Sequence, residues 1–180
     1  MKKLISHELE IPEGITCTLN DKVLVCKKDI LEISRVLDIP QTEIKIQENK
    51  IKFTCKKGNK NTHKTISTFQ AHIQNMFNGL QKEFVYHLES ANVHFPMSLK
   101  LEEDRLVINN FLGEKVPRYA RILPNVKIEI KGQSITLTSH DKEAAGQTAA
   151  NLEKATKLKG RDRRIFQDGI FITKKPGRKM

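Results

Sequence analysis

The chain has 180 residues, of which 38% are hydrophobic and 29% are charged. A chain of this length and composition can bury the core of one ordinary domain or of two small ones, which excludes global disorder. Lysine and arginine number 32 against 21 acidic residues, so the net charge is +11. This excess predicts a polyanionic partner, either a nucleic acid or an anionic membrane surface.

The first residues argue against secretion. Met1–Ile5 is similar to the start of a signal peptide, but Glu8, Glu10 and Glu13 interrupt the apolar region that would have to follow. No segment approaches the roughly 18 consecutive apolar residues that cross a bilayer. We therefore expect a cytoplasmic chain without a membrane span.

The first half predicts short strands followed by one helix. Alternating or apolar runs indicate strands at 23–25, 44–46 and 51–54, with a tight turn at Glu48-Asn49-Lys50 between the last two. The helix is predicted from apolar residues at helical spacing, which form one stripe: Ile66, Phe69, Ile73, Met76, Phe77 and Leu80.

The second half repeats this pattern. Strands are predicted at 84–88, 106–108, 126–130 and 135–138, with a turn at Lys131-Gly132-Gln133. A second helix has a stripe of smaller residues at Ala145, Thr148, Ala149, Leu152 and Ala155. Its N-cap is expected at Ser139 or Asp141, and its C-terminal stop at Gly160.

Most of the positive charge lies at the end of the chain. Residues 154–180 carry ten basic side chains against two acidic ones, Asp162 and Asp168, which gives this segment +8 of the total. The apolar run 165–172, with a turn at Asp168-Gly169, predicts a strand that anchors the flanking cations. Residues 174–180 contain proline and glycine and are expected to form a loose basic tail.

The expected fold class is α+β, with two similar domains that each pack a small, mainly antiparallel sheet against one helix. The domains are predicted at 1–82 and 83–173, followed by the tail at 174–180. The basic segment at residues 154–180 is expected to meet the polyanionic partner, because it carries +8 of the total charge.

Five segments together resemble one family, the sixth large-subunit ribosomal protein in its archaeal and eukaryotic form. They occur in the family's order and spacing: Ala71–Met76, His94–Met97, Asn110–Lys115, Gly146–Asn151 and Gly160–Ile172. One departure is Arg163, where related archaeal chains commonly have proline. It adds a charge and loosens the local backbone.

The resemblance implies two α+β domains that arose by duplication, and a structural role in the large ribosomal subunit. It further implies binding to large-subunit rRNA mainly through the C-terminal domain, near the sarcin-ricin loop and the landing site of translational GTPases. The implied partners are rRNA and neighbouring ribosomal proteins, without a cofactor. A free-standing RNA-binding protein outside the ribosome is the alternative.

The candidate RNA-binding residues lie in the basic C-terminal segment, where lysine and arginine can neutralise phosphates and arginine can bind them through two hydrogen bonds. For Gly169, close approach to RNA and a plain turn are equally open interpretations, and for Phe166 a core anchor is favoured over base stacking. The candidates are Lys157, Lys159, Arg161, Arg163, Arg164, Gly169, Lys174, Lys175, Arg178 and Lys179.

An enzyme is the main alternative from another class, and no motif supports it. Cys17, Cys26 and Cys55 have no C-x-x-C spacing and are expected to be reduced core residues rather than nucleophiles, metal ligands or a disulfide framework. The glycines form no nucleotide-binding loop. Membrane-surface binding is disfavoured because neither helix has a strongly basic polar face.

Overall fold

Strands dominate the structure. The computed structural model describes residues 3–47, 49–93 and 95–177, and within them the chain forms thirteen strands, two α-helices and one short 3₁₀ helix. Among the residues named above, Met1, Glu48, His94, Arg178 and Lys179 lie outside the described residues. The chain divides into two compact units, Met1–Lys82 and Glu83–Met180.

The first unit has two three-stranded antiparallel sheets and one helix. One sheet has the order β1-β6-β5, and the other has the order β2-β3-β4. The elements are β1 (Lys3–Glu10), β2 (Thr16–Asn20), β3 (Val23–Lys28), β4 (Leu31–Val36), β5 (Glu43–Gln47), β6 (Lys50–Gly58) and α1 (Lys60–Gln81).

The second unit has one four-stranded and one three-stranded antiparallel sheet. Their orders are β11-β12-β7-β13 and β10-β9-β8. The elements are β7 (Phe84–Ala91), β8 (Ser98–Glu102), β9 (Arg105–Asn109), a 3₁₀ helix (Phe111–Gly113), β10 (Arg118–Arg121), β11 (Lys127–Lys131), β12 (Ser134–Ser139), α2 (Lys142–Ala155) and β13 (Gly169–Lys174).

The two units follow one order of elements. In each, a first strand is followed by a three-stranded meander, then by a hairpin whose second strand pairs with the first strand, and then by the helix. The order β1-β6-β5 thus corresponds to β7-β12-β11. Strand β13 is added in the second unit, on the side of β7 away from β12.

This arrangement confirms the α+β class and the presence of one helix in each half, but the expectation of a single sheet per half was wrong. The meander strands β2, β4 and β10 were not predicted, and neither was β1. In β1, Ile5, His7 and Leu9 are half-buried while the residues between them are exposed. That period of two is a strand signal, which the similarity to a signal peptide obscured.

Helix α1 follows its predicted pattern closely. Asn59 is the N-cap, and its side chain accepts a hydrogen bond from the Thr62 amide at 2.9 Å, while the Thr62 hydroxyl accepts one from the Asn59 amide at 3.4 Å. Such a reciprocal cap satisfies amides that have no partner within the helix. Of the predicted stripe only Phe69 is not fully buried.

Helix α2 begins where expected and ends earlier than expected. Asp141 is the N-cap and accepts from the Glu143 amide at 2.8 Å, and the Ser139 hydroxyl in turn accepts from the Asp141 amide at 3.1 Å. The helix ends at Ala155 with Thr156 as C-cap, so the prediction of a stop at Gly160 was wrong. Gly160 has φ of +67° in the connection beyond the helix.

Within the described ranges, neither helix is long and apolar enough to span a membrane.

The core of the first unit gives a direct stability test. Ile73 is 0% exposed in α1, so Ile73→Ala should lower the free energy of unfolding of this unit by about 2–5 kcal/mol through lost burial and a cavity. Lys64→Ala, on the exposed face of the same helix, should change it by less than about 0.5 kcal/mol. Urea denaturation measures both, and equal losses would contradict the packing described.

Candidate nucleic-acid interface

The predicted cations lie on the connection between α2 and β13. We call residues 157–168 the basic loop. It carries two lysines and three arginines, all of them exposed, against the carboxylates of Asp162 and Asp168. The exposed cations are Lys157, Lys159, Arg161, Arg163 and Arg164.

Thr156 fixes the beginning of the basic loop. This buried residue donates from its hydroxyl to the Glu153 carbonyl at 3.2 Å and accepts from the Ile170 amide at 2.9 Å. The second bond links the end of α2 to the beginning of β13. The two ends of the basic loop are therefore held close together.

Asp168 fixes the other end. Its side chain is 4% exposed, and its Oδ1 accepts from the Val93 amide at 2.8 Å. Directly after it, β13 pairs with β7 from Gly169 opposite Ala91 onward. A charged carboxylate is rarely buried without hydrogen bonds, and this one ties the loop to the chain that follows β7.

A turn at Asp162 shapes the middle of the basic loop. The Asp162 carbonyl accepts from the amides of Ile165 and Phe166 at 3.2 and 3.0 Å, and its Oδ1 accepts from the Arg164 amide at 2.9 Å. The prediction of a strand over 165–172 was therefore wrong for its first half, since β13 begins at Gly169. Ile165 is 63% exposed rather than buried in a sheet.

Phe166 anchors this turn to the unit. The ring is half-buried and packs against the hydrophobic core of the second unit, as the favoured interpretation of the sequence expected. The Arg161 guanidinium carbon lies 4.9 Å from the ring centroid, in a cation–π arrangement. The arginine thus rests on a fixed aromatic surface, which restricts its orientation.

Arg118 braces the basic loop from β10, and sequence reasoning missed it. Its Nη1 donates to the carbonyls of Ala155 and Lys157 at 3.0 and 3.2 Å. A cation is favourable at the C-terminal end of a helix, where carbonyls lack partners within the helix. The guanidinium also binds both oxygens of Glu114, at 2.6 and 2.7 Å, and lies over the Phe111 ring at 4.3 Å.

The Arg118 brace changes the acidity of its partner. The hydrogen bond from Arg118 holds the pKa of the Glu114 carboxyl below its usual range, and the charge of Arg161 contributes in the same direction. The i, i+4 spacing of this pair is visible in the sequence. Its contact with the end of α2 depends on how β10 packs on that helix, which the sequence does not reveal.

A further cation, Lys154, belongs to the same surface. With Arg118, Lys157 and Lys159 it lines a surface depression of about 370 Å³. It also lines a larger cavity of about 890 Å³, beside Arg163. The sequence signal for a role of Lys154 in binding was its position in the most basic segment of the chain, residues 154–180.

The remaining predicted residues lie apart from the basic loop. Gly169 is buried, and a Cβ there would lie 3.2 Å from the Phe171 ring and 3.5 Å from the Thr156 hydroxyl, which favours a packing role over contact with RNA. Lys174 is exposed at the end of β13, so the strand includes the first residue of the predicted tail, and Lys175 forms an isolated bridge. Arg178 and Lys179 lie outside the described residues.

Within the parts of the chain that the structure describes, no three His, Cys, Asp or Glu side chains form a group that could hold a metal ion. Cys26 and Cys55 are buried, as expected of core residues, and Cys17 is half-buried.

Comparisons with known proteins agree with the resemblance of the motifs. The family model described as Ribosomal protein L6 matches residues 95–169, which include the whole basic loop. Large ribosomal subunit protein uL6 of Methanococcus vannielii is 40% identical over 97% of this chain and 96% of its own length. The proteins of the same name from Methanobrevibacter smithii and Haloarcula marismortui are 42% and 39% identical, each over 95% of this chain and 96% of its own.

These similarities define the class first: the chain is a ribosomal protein, and thus a structural protein rather than an enzyme. More narrowly, the chain belongs to the family of large ribosomal subunit protein uL6.

The tie between α2 and β13 can be tested at Thr156. Thr156→Val leaves the buried Ile170 amide without its acceptor, so the free energy of unfolding of the second unit should fall by about 1–3 kcal/mol. The Ile170 amide should also exchange its hydrogen faster. Thr173→Val is the matched control, because that hydroxyl donates to the His87 carbonyl at an exposed position. Equal effects of the two substitutions would contradict the assigned role.

The lowered pKa of Glu114 predicts a pH dependence. A carboxyl whose folded-state pKa is lowered contributes stability above the ordinary glutamate pKa of about 4.3, and loses it as the pH falls through the lowered value. Glu114→Gln should therefore be less stable than the wild type at pH 7, by up to about 1 kcal/mol for so exposed a pair, and the difference should vanish in acid.

Thermal denaturation from pH 7 to pH 3 measures this difference. Glu103→Gln, in the exposed turn between β8 and β9, serves as the control. A difference between wild type and Glu114→Gln that grows on acidification would contradict the ion pair with Arg118.

Proposed function

We propose that this chain is a structural component of the large ribosomal subunit and binds large-subunit rRNA mainly through its second unit. The observation that carries the proposal is the basic loop, which presents five exposed cations on a segment held at both ends. The relatives are named as large-subunit proteins, which supports this assignment. In this role the chain works in the ribosome, in the cytoplasm.

The fixed ends of the basic loop favour tight binding. Ordering a flexible tail on RNA costs conformational entropy, whereas a loop tied by Thr156 and Asp168 loses less when it binds. The Asp162 turn and the Phe166 anchor further limit the positions of the three arginines. Structure in the free protein therefore prepares the cationic surface for its partner.

The geometry favours recognition of phosphates and sugars over stacking on bases. Folded RNA presents phosphates and 2′-hydroxyls across a wide, shallow minor groove, where basic side chains are the main requirement. The Phe166 ring is half-buried, and the Arg161 guanidinium lies over one of its faces, which leaves less of the ring for a base. Lys154 extends the row of cations along the end of α2, and we include it among the proposed contacts.

The proposed contact surface extends along the end of the chain. Lys174 and Lys175 lie at the end of β13, and Arg178 and Lys179 are proposed to follow the RNA beyond it. Residues 83–173, together with these cations, would then form the main RNA-binding domain. The first unit would contribute less, because the resemblance implies binding mainly through the C-terminal domain.

The finer position of the chain within the subunit is also a proposal. The resemblance of the five motifs supports a place near the sarcin-ricin loop, close to the site where translational GTPases act. There the chain would help to shape the factor-binding side of the subunit, among neighbouring ribosomal proteins.

Replacement of Arg161, Arg163 and Arg164 by alanine tests the proposed surface. Binding to a large-subunit rRNA transcript should weaken at least about tenfold, because hydrogen bonds to charged groups contribute about 1.5–3 kcal/mol each. The slope of log affinity against log salt should flatten by about 0.9 for each lost phosphate contact. Filter binding at several salt concentrations measures both quantities.

The matched control replaces three exposed lysines of the first unit, Lys56, Lys57 and Lys60, by alanine. It removes the same charge and should leave affinity and slope closer to those of the wild type. Incorporation of both variants into large subunits, measured by sedimentation in high salt, then tests the ribosomal role. Equal retention of the arginine variant and the wild type would overturn the assignment of this surface.

A further inference from the structure

Two cysteines of the first unit face each other across neighbouring strands. Cys17 on β2 is paired in register with Cys26 on β3, and their sulfur atoms lie 3.2 Å apart. Residues directly opposite in an antiparallel pair have Cα atoms about 4.5–5.5 Å apart. That separation falls within the range of about 4.4–6.8 Å found in disulfides. The backbone therefore already suits a bond between the two sulfurs.

The two thiols differ in their access to solvent. Cys26 is 0% exposed within the hydrophobic core of the first unit. Cys17 is half-buried and lines a surface depression of about 540 Å³, together with Thr18, Lys45 and Gln47. A small reagent can thus reach Cys17 from solvent, whereas Cys26 is accessible to it only through Cys17.

The hydrogen bond between the two thiols also makes them chemically unequal. The hydrogen bond with the Cys26 side chain lowers the pKa of Cys17. The same hydrogen bond, together with burial, raises the pKa of Cys26. Cys17 is therefore the thiol that ionises first, and the thiolate is the nucleophile in disulfide exchange.

We propose that Cys17 and Cys26 form a reversible redox-modification site, in which a low-molecular-weight disulfide such as oxidised glutathione converts the pair into an intramolecular disulfide. Cys17 is the attacking residue and Cys26 the resolving residue. The site lies in the first unit, so the proposal goes beyond the RNA-binding function proposed for the second unit and does not depend on it.

The reaction takes place in two exchange steps. The Cys17 thiolate attacks one sulfur of the small disulfide, a mixed disulfide forms, and the first small thiolate leaves. Cys26 then attacks the Cys17 sulfur, passes its proton to the departing group, and releases the second small thiol. Two protein thiols are oxidised and one small disulfide is reduced to two thiols, so the two transferred electrons balance.

A disulfide between Cys17 and Cys26 would join β2 to β3 covalently. The β2–β3–β4 sheet contains the buried Leu24, and the β2–β3 hairpin forms part of the unit's core packing. Cys55 provides an internal comparison, because it is equally buried but lies on β6, in the other sheet of the unit.

The full-length chain tests the proposal directly. The folded protein is incubated with oxidised glutathione, denatured in acid, alkylated, digested with trypsin and examined by mass spectrometry. Trypsin places the three cysteines on separate peptides, residues 4–22, 23–27 and 53–56, because Lys22 lies between Cys17 and Cys26. We expect loss of alkylation at Cys17 and Cys26, a disulfide between their two peptides that dithiothreitol reverses, and retained alkylation at Cys55.

Two variants distinguish the roles of the two thiols. Cys26→Ser removes the resolving thiol, so a mixed disulfide with glutathione should accumulate on Cys17. Cys55→Ser should still form the link between Cys17 and Cys26. The proposal is overturned if the wild-type chain keeps glutathione on Cys17 beside a free Cys26, or if it links either residue to Cys55 or to a second chain. It is also overturned if all three thiols remain alkylated.

Discussion

The basic loop depends on the pairing of β13 with β7. Without that pairing, residues beyond α2 would be a charged tail, and their cations would have no fixed positions. The hydrogen bond from the Ile170 amide to the Thr156 hydroxyl connects this added strand to the end of the helix, and Asp168 connects it to the chain after β7. The first of these bonds is buried and the second is partly buried, and a bond left unmade in such a position costs more than one at the surface. The loop therefore keeps its shape although most of its own side chains are exposed.

The shared order of elements explains where this surface could arise. Both units consist of a strand, a meander, a hairpin and a helix, and both bury an apolar helix face. In the first unit the chain leaves its helix and begins β7 within three residues, whereas in the second it forms the basic loop and then β13. The proposed RNA contacts thus lie where the second unit departs from the shared order of elements. The shared elements can stabilise both units.

How much could be predicted from the sequence depends on whether a feature is local. The helix faces and the antiparallel pairing on either side of both predicted turns follow from periodicity and turn residues, and the structure has them. The end of α2 could not be placed, because the C-cap residue Thr156 accepts a hydrogen bond from the Ile170 amide, fourteen residues away, and this contact is not visible in the sequence. The sequence prediction began the last strand at Ile165, because that residue is apolar. In the structure Ile165 is exposed on a turn, and β13 begins only at Gly169. Arg118 was missed for the same reason, as its contacts with the helix end are tertiary.

Similar reasoning separates cations that stabilise the fold from those that are available to a partner. Arg118 directs its guanidinium toward Glu114 and two backbone carbonyls, so its charge is used within the unit. Asp162 directs Oδ1 to the Arg164 backbone amide, which shapes the loop around the arginines. Composition counts all these groups alike, although a cation must be exposed, as those of the loop are, to release counterions from a nucleic acid. The local geometry, more than the total charge of +11, therefore determines which face of the second unit can bind a polyanion.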